Sequence, residues 1–160
     1  MQRSDLTMRL TGQDSAERFE KPSLSIMLES QSEQLALCRE LEDIADSLPG
    51  SVNRQKCIFA AQALGVLMKK THSYEEDTFF PWLEKENEAD EKLAAILKRL
   101  RFEHFEDECY AEELVEVLLK LGRGDAVNME ATGYMLRGFF EARRRHIAFE
   151  RDHLMHFMRP

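Results

Sequence analysis

The chain has 160 residues, of which 43% are hydrophobic and 32% charged, and its formal net charge is −8. That composition suits one globular domain large enough to bury a core without disulfide staples. An acidic balance argues against general nucleic-acid or anionic-membrane binding, and no apolar run approaches the roughly 20 residues of a membrane span.

The first 20 residues are polar and weakly patterned, and read as an N-terminal tail ahead of a single domain over residues 21–160. They lack the continuous apolar stretch of a secretory signal, so the expected compartment is the cytoplasm. A first helix is predicted from about Pro22 to Leu48, with Leu24, Met27, Leu28, Leu35, Cys38, Leu41 and Ala45 at helical spacing and Pro49-Gly50 as the stop. A second runs from Val52 or Asn53 to near Phe80 with Ile58, Ala61, Gly65, Met68 and Phe79 inward, Pro81 marking its end or a kink. Residues 84–91 form a charged connector or a helical extension. The third helix spans about Asp90 to Leu121, with Leu93, Leu97, Leu100, Ala111, Val115 and Leu118 inward and Gly122 and Gly124 closing it. The fourth starts after Asn128 and reaches about Met158, with Met135, Leu136, Phe139, Ala142, Phe149 and Phe157 on its apolar side. Four long amphipathic helices with short connectors give an all-α, antiparallel, up-down-up-down bundle. Cys38, Cys57 and Cys109 are odd in number and far apart, so free thiols are expected.

Histidine carries the chemical signal. Of five histidines, His72, His104 and His146 each have a glutamate four residues later: Glu76, Glu108 and Glu150. Such residues lie one turn apart on one helical face. With 21 glutamates in the chain, chance would give only about 0.7 such pairs. A single pair of this kind is ordinarily a surface contact worth a few tenths of a kcal/mol. Here the three fall on three helices and continue apolar stripes. Buried together, these imidazoles and carboxylates would each cost several kcal/mol if uncompensated. A cation offsets that cost, and imidazole with carboxylate favours iron, manganese or zinc. Glu75 and Asp77 read as exposed charges, Glu75 reaching the site only if the helix turns locally. Arg143, Arg144 and Arg145 read mainly as solvated surface pairing with the acidic third helix.

The segments LALCRELEDIADSLP, HSYEEDTFFPWL, FEHFEDECYAEEL and RRRHIAFE, taken in order over about residues 22–158, resemble the hemerythrin-like HHE cation-binding domains. The resemblance implies a hemerythrin-like bundle holding two iron ions, with Glu76 and Glu150 as bridges. His72 would serve one iron, and His104 and His146 the other, with Glu108 where many members have histidine. One metal only, or manganese or zinc in place of iron, is the variant reading. The family's first-helix histidine falls on Gln31, a weak neutral donor, so the iron held by His72 would be weakly bound or open. His153, three residues after Glu150, is a candidate replacement ligand. His156 lies off that face.

The functional expectation is a non-haem di-iron binding protein that senses or handles dioxygen, nitric oxide or iron, rather than an enzyme. The competing readings are a regulatory or structural helical module with a degenerate site, and a di-iron oxidoreductase acting on peroxide or nitric oxide. A protein partner or a homodimer is compatible with either; nucleic acid and membrane are not expected.

Overall fold

The computed structural model describes residues 20–160. The tail expected over residues 1–20 therefore lies, apart from Glu20, outside the described residues. The helices are α1 (Leu24–Ser47), α2 (Arg54–Tyr74), α3 (Phe80–Glu86), α4 (Glu91–Arg123) and α5 (Met129–His153). A π-helical segment, Glu75–Phe79, joins α2 to α3, so the two form one continuous rod; a 3₁₀ turn, Met155–Met158, follows α5. No strand occurs among the described residues. The result is a four-rod, all-α bundle.

Each rod begins where a side chain can satisfy a free backbone N–H. Ser23, Asn53, Asp90 and Asn128 accept from Ile26, Lys56, Leu93 and Ala131 respectively. α4 ends on Gly124, whose φ of 77° is the left-handed conformation glycine takes most easily. The Gly124 N–H donates to the Leu121 carbonyl and that of Asp125 to Lys120, closing a Schellman motif. Pro81 does not end the second rod. It sits in the first turn of α3 and lacks the N–H an α-helix would use, and the widened π turn lies just before it.

The interior is layered. One apolar cluster gathers Leu37 to Ala45 of α1, Cys57 to Met68 of α2, Ala111 to Leu121 of α4, and Leu136 to Phe140 of α5. The other gathers Met27, Phe79 to Leu83, Leu93 to Leu100, and Leu154 to Met158. Along the chain the rods traverse the layers in alternating order, as an up-down-up-down bundle requires. Trp82 lies in the second cluster, at that end of the bundle. Between the clusters every rod changes character: Gln31 and Gln34, then Thr71, His72 and Glu75, then His104, then Arg143, His146 and Glu150 are all buried.

Four details depart from the sequence expectation. Gly65 is exposed and Leu64 faces in. Leu28 is exposed, the α1 stripe running through Gln31 and Gln34. On α5 the inward position is Arg143, not Ala142: spacing from Leu136, Phe139 and Phe140 places it there, and its charge had argued for the surface. Residues 154–158 leave the α-helix for a 3₁₀ turn. No described helix is long and apolar enough to cross a membrane.

Candidate metal centre

His72, His104 and His146 meet in the buried layer. The rings of His72 and His104 stack with centroids 4.0 Å apart, and those of His104 and His146 lie 5.4 Å apart. Each ring is held from outside by a carboxylate on its Nδ1, and all three partners come from a rod other than the one sequence spacing suggests. Glu108 of α4 accepts from His72 at 2.9 Å, while Glu76 of the π segment accepts from His104 at 2.8 Å. The pairs that look intrahelical, His72/Glu76 and His104/Glu108, thus exchange partners across the seam. Glu103, which belongs to none of the three histidine–glutamate pairs in the sequence, accepts from His146 Nδ1 at 3.2 Å. A proton fixed on each Nδ1 leaves each Nε2 as a lone pair directed inward, the arrangement of metal-bound histidines.

The inner carboxylates are Glu75 and Glu150, 2% and 0% exposed, whereas the side chains of Glu76 and Glu108 are 39% and 46% exposed. Glu75, expected at the surface, reaches the centre because the buried face of α2 passes through Met68, Thr71, His72 and then Glu75. The π turn lets Phe79 and Phe80 resume burial beyond it. Glu75 Oε2 lies 2.7 Å from His104 Nε2, and Glu150 Oε1 lies 2.6 Å from His146 Nε2. Close as these are, none has hydrogen-bond geometry. His72 Nε2, Glu75 Oε2, His104 Nε2, His146 Nε2 and Glu150 Oε1 are five buried atoms without a hydrogen-bond partner. Ligand atoms of Glu75, His104 and His146 all lie within 4.8 Å of one another.

Gln31 is buried beside this group with its amide turned. Its Nε2 donates to Glu150 Oε2 at 3.3 Å, and its Oε1 accepts from Arg151 Nε at 2.9 Å. The carbonyl oxygen, the only donor atom the amide could offer a cation, is thus engaged by arginine. His153 is exposed with its ring tilted against Phe149, and His156 is exposed with its ring tilted against Phe157; neither joins the buried cluster.

Electrostatics point the same way. Burial pushes His72 down to about 2, with the charges of His104, Arg143 and His146 adding to the effect, so the ring stays neutral. Burial lifts Glu75 above the carboxylate range, and the charge of Glu150 lifts it further. For Glu150 burial also works upward but is outweighed by His146, Arg143 and Gln31, and it ends below its usual value. His104 is raised: burial disfavours its charge, but contact with Glu75 and Glu76 prevails. The metal-free cluster therefore draws a proton into the place where a cation fits. Unpaired buried acceptors cost about 1–3 kcal/mol each, and three imidazoles with two carboxylates form a donor set suited to iron, manganese or zinc.

A four-rod bundle with a buried histidine–carboxylate centre defines the class: a cation-binding helical protein. The model of the hemerythrin HHE cation-binding domain matches residues 23–157, nearly all of the described chain, and the protein belongs to that family. No match was found among curated proteins or among solved structures.

Proposed function

We propose that the chain is a non-haem di-iron protein that binds a small ligand, dioxygen or nitric oxide, or that senses iron. The observation carrying this reading is a set of five buried, partnerless acceptor atoms, those of Glu75, His104 and His146 within 4.8 Å of one another, in a layer between two apolar clusters. Glu75, His104 and His146 would hold one ion, in a two-histidine, one-carboxylate set typical of ferrous sites with open positions. His72 and Glu150, whose Nε2 and Oε1 are buried without hydrogen-bond partners in the same layer, would supply donors to a second. When loaded, a ferrous pair supplies two electrons to a diatomic ligand.

The chain's own part is orientation and exclusion. The outer carboxylates Glu108, Glu76 and Glu103 fix the tautomer and tilt of the rings. Gln31 steers Glu150 by a hydrogen bond. Because the Gln31 oxygen is engaged by Arg151, the ion near His72 would lack a first-rod ligand and keep a position open for an incoming ligand. That favours a binder over a centre saturated by protein atoms.

The test is anaerobic titration of metal-free protein with ferrous iron, followed by metal analysis, thermal melting and admission of air. Two ions per chain, a raised melting temperature and an oxo-bridged absorption band that reverses on deoxygenation are expected. No binding and an unchanged melting temperature would sink the proposal. Turnover of peroxide or nitric oxide, without reversible binding, would favour the oxidoreductase reading instead.

A further inference from the structure

One buried charge lies outside the donor set. Arg143 is 1% exposed, one turn before His146 on α5. Its two terminal nitrogens donate to Asp107 Oδ2 and Gln34 Oε1, both at 2.5 Å, while its Nε is buried without a partner. Gln34 donates on to Ser30 Oγ at 3.3 Å, and Ser30 is 3.3 Å from Thr71 Oγ1. These residues make a polar belt across all four rods beneath the candidate centre, next in sequence to its members: Thr71 before His72, Gln34 three after Gln31, Asp107 three after His104, Arg143 three before His146.

A guanidinium is charged at every accessible pH. Its anionic mate does not cancel it at the centre, because Asp107 is 17% exposed and nearer water. The positive end of the pair therefore faces inward. Its field acts at His72, His104 and Glu150. A bundle needing only packing would place an apolar residue there, since an arginine buried with one donor unpaired is expensive.

We propose that Arg143 is the internal counter-cation of the metal centre: a positioning residue that steadies the buried Glu150 carboxylate when no ion is bound and weakens the grip on an ion that is. The inference rests on the metal-binding reading above. Without Arg143 the empty layer would hold its buried carboxylates with no permanent positive charge beside them. With it, the empty site stands preformed, and an arriving cation meets a like charge.

The sign of the effect separates this role from a merely structural one. The experiment uses the full chain, stripped of metal, with Zn²⁺ as a redox-silent probe competed against a chromophoric chelator. Arg143→Gln keeps hydrogen-bonding capacity and loses the charge. It should bind Zn²⁺ about tenfold tighter than the parent, and its metal-free melting temperature should fall further than its Zn²⁺-loaded one. Asp107→Asn, which unmasks the guanidinium, should bind Zn²⁺ about tenfold more weakly. The double variant should return close to the parent, and Arg143→Lys should stay near it. Weaker or unchanged binding in Arg143→Gln, or equal melting losses with and without Zn²⁺, would overturn the proposal. A variant that folds only when Zn²⁺ is added supports it, because the ion has taken over the missing cation's task. One that folds under neither condition counts against it. Failure of the parent itself to bind Zn²⁺ or ferrous iron would refute the metal-binding reading, not the role of Arg143 within it.

Discussion

Glu75 and Glu76 are adjacent, similar in chemistry and opposite in placement, and replacing each with glutamine separates an inner ligand from an outer support. Glu75 is 2% exposed and 2.7 Å from His104 Nε2; the Glu76 side chain is 39% exposed and reaches only Nδ1 of the same ring. Loss of an outer carboxylate typically costs about 10- to 100-fold in metal affinity, and Glu76→Gln should fall there, since its amide oxygen can still accept from Nδ1–H. Glu75→Gln should exceed 100-fold, or more than about 2.7 kcal/mol. Metal-free stability should move differently. The raised pKa of Glu75 means the folded chain binds a proton more tightly than the unfolded one. Its contribution to stability is present below the ordinary carboxylate value and is lost as pH rises through the folded value. At neutral pH the buried carboxyl is therefore a burden, and glutamine removes it. Metal-free Glu75→Gln should melt within a few degrees of the parent while losing most of its metal-induced rise. Chelator competition and melts with and without metal measure both. Equal affinity losses in the two variants, or a greater loss in Glu76→Gln, would refute the inner placement of Glu75.

Gln31→His should raise occupancy of the ion near His72, read as metal per chain after dialysis against limiting chelator; identical metal content in mutant and parent would refute the placement of Gln31 beside that ion. The pH dependence of the metal-free protein should carry the mark of His72. Its folded pKa of about 2 lies below the ordinary 6.5, so below pH 6.5 the unfolded chain binds a proton the folded chain refuses, and stability falls with pH. Between pH 6.5 and 5 this one ring should cost about 1.5 kcal/mol from the slope of 1.4 kcal/mol per unit, and denaturant titration of His72→Gln should show that much less acid sensitivity.

The bundle was legible because breakers and caps bracket four periodic segments: Ser23, Asn53, Asp90 and Asn128 all occupy the capping positions their chemistry favours. His72, His104 and His146 were legible because histidine is scarce and the three continue apolar stripes. Their carboxylate partners were not. Spacing reports neighbours on one helix, whereas Glu108 and Glu76 cross between the second and third rods. Glu75 was hidden by its type: it continues the buried spacing of Met68, Thr71 and His72, while its charge said surface. Arg143 was hidden by its type: charge said surface, while its spacing from Leu136 and Phe140 said core. A stripe drawn from position alone, without regard to residue type, would have found Arg143, Gln34 and Gln31 together.

The same crossings decide how a charge at the centre acts on the bundle. Glu108 and Glu76 tie the second rod to the third directly at His72 and His104, and Glu103 ties the third to the fourth at His146. Gln31 ties the first to the fourth at Glu150. Three of the four seams are therefore bridged at a candidate ligand, where a change of ion charge alters the strength of the bridge itself. The remaining seam, between α1 and the second rod, is crossed in this layer by the Ser30–Thr71 contact at 3.3 Å, two neutral hydroxyls one residue removed from His72, and by a solvent-exposed Lys70–Glu33 ion pair at 3.6 Å that touches no candidate ligand. A groove of about 500 Å³ lined by Ser30, Glu33, Lys70, Tyr74 and Asp77 opens along it. Neutral hydroxyls gain little when a nearby charge changes, while the bridged seams gain or lose a charge-assisted bond. Rearrangement driven by the centre is thus resisted least along α1 and the second rod.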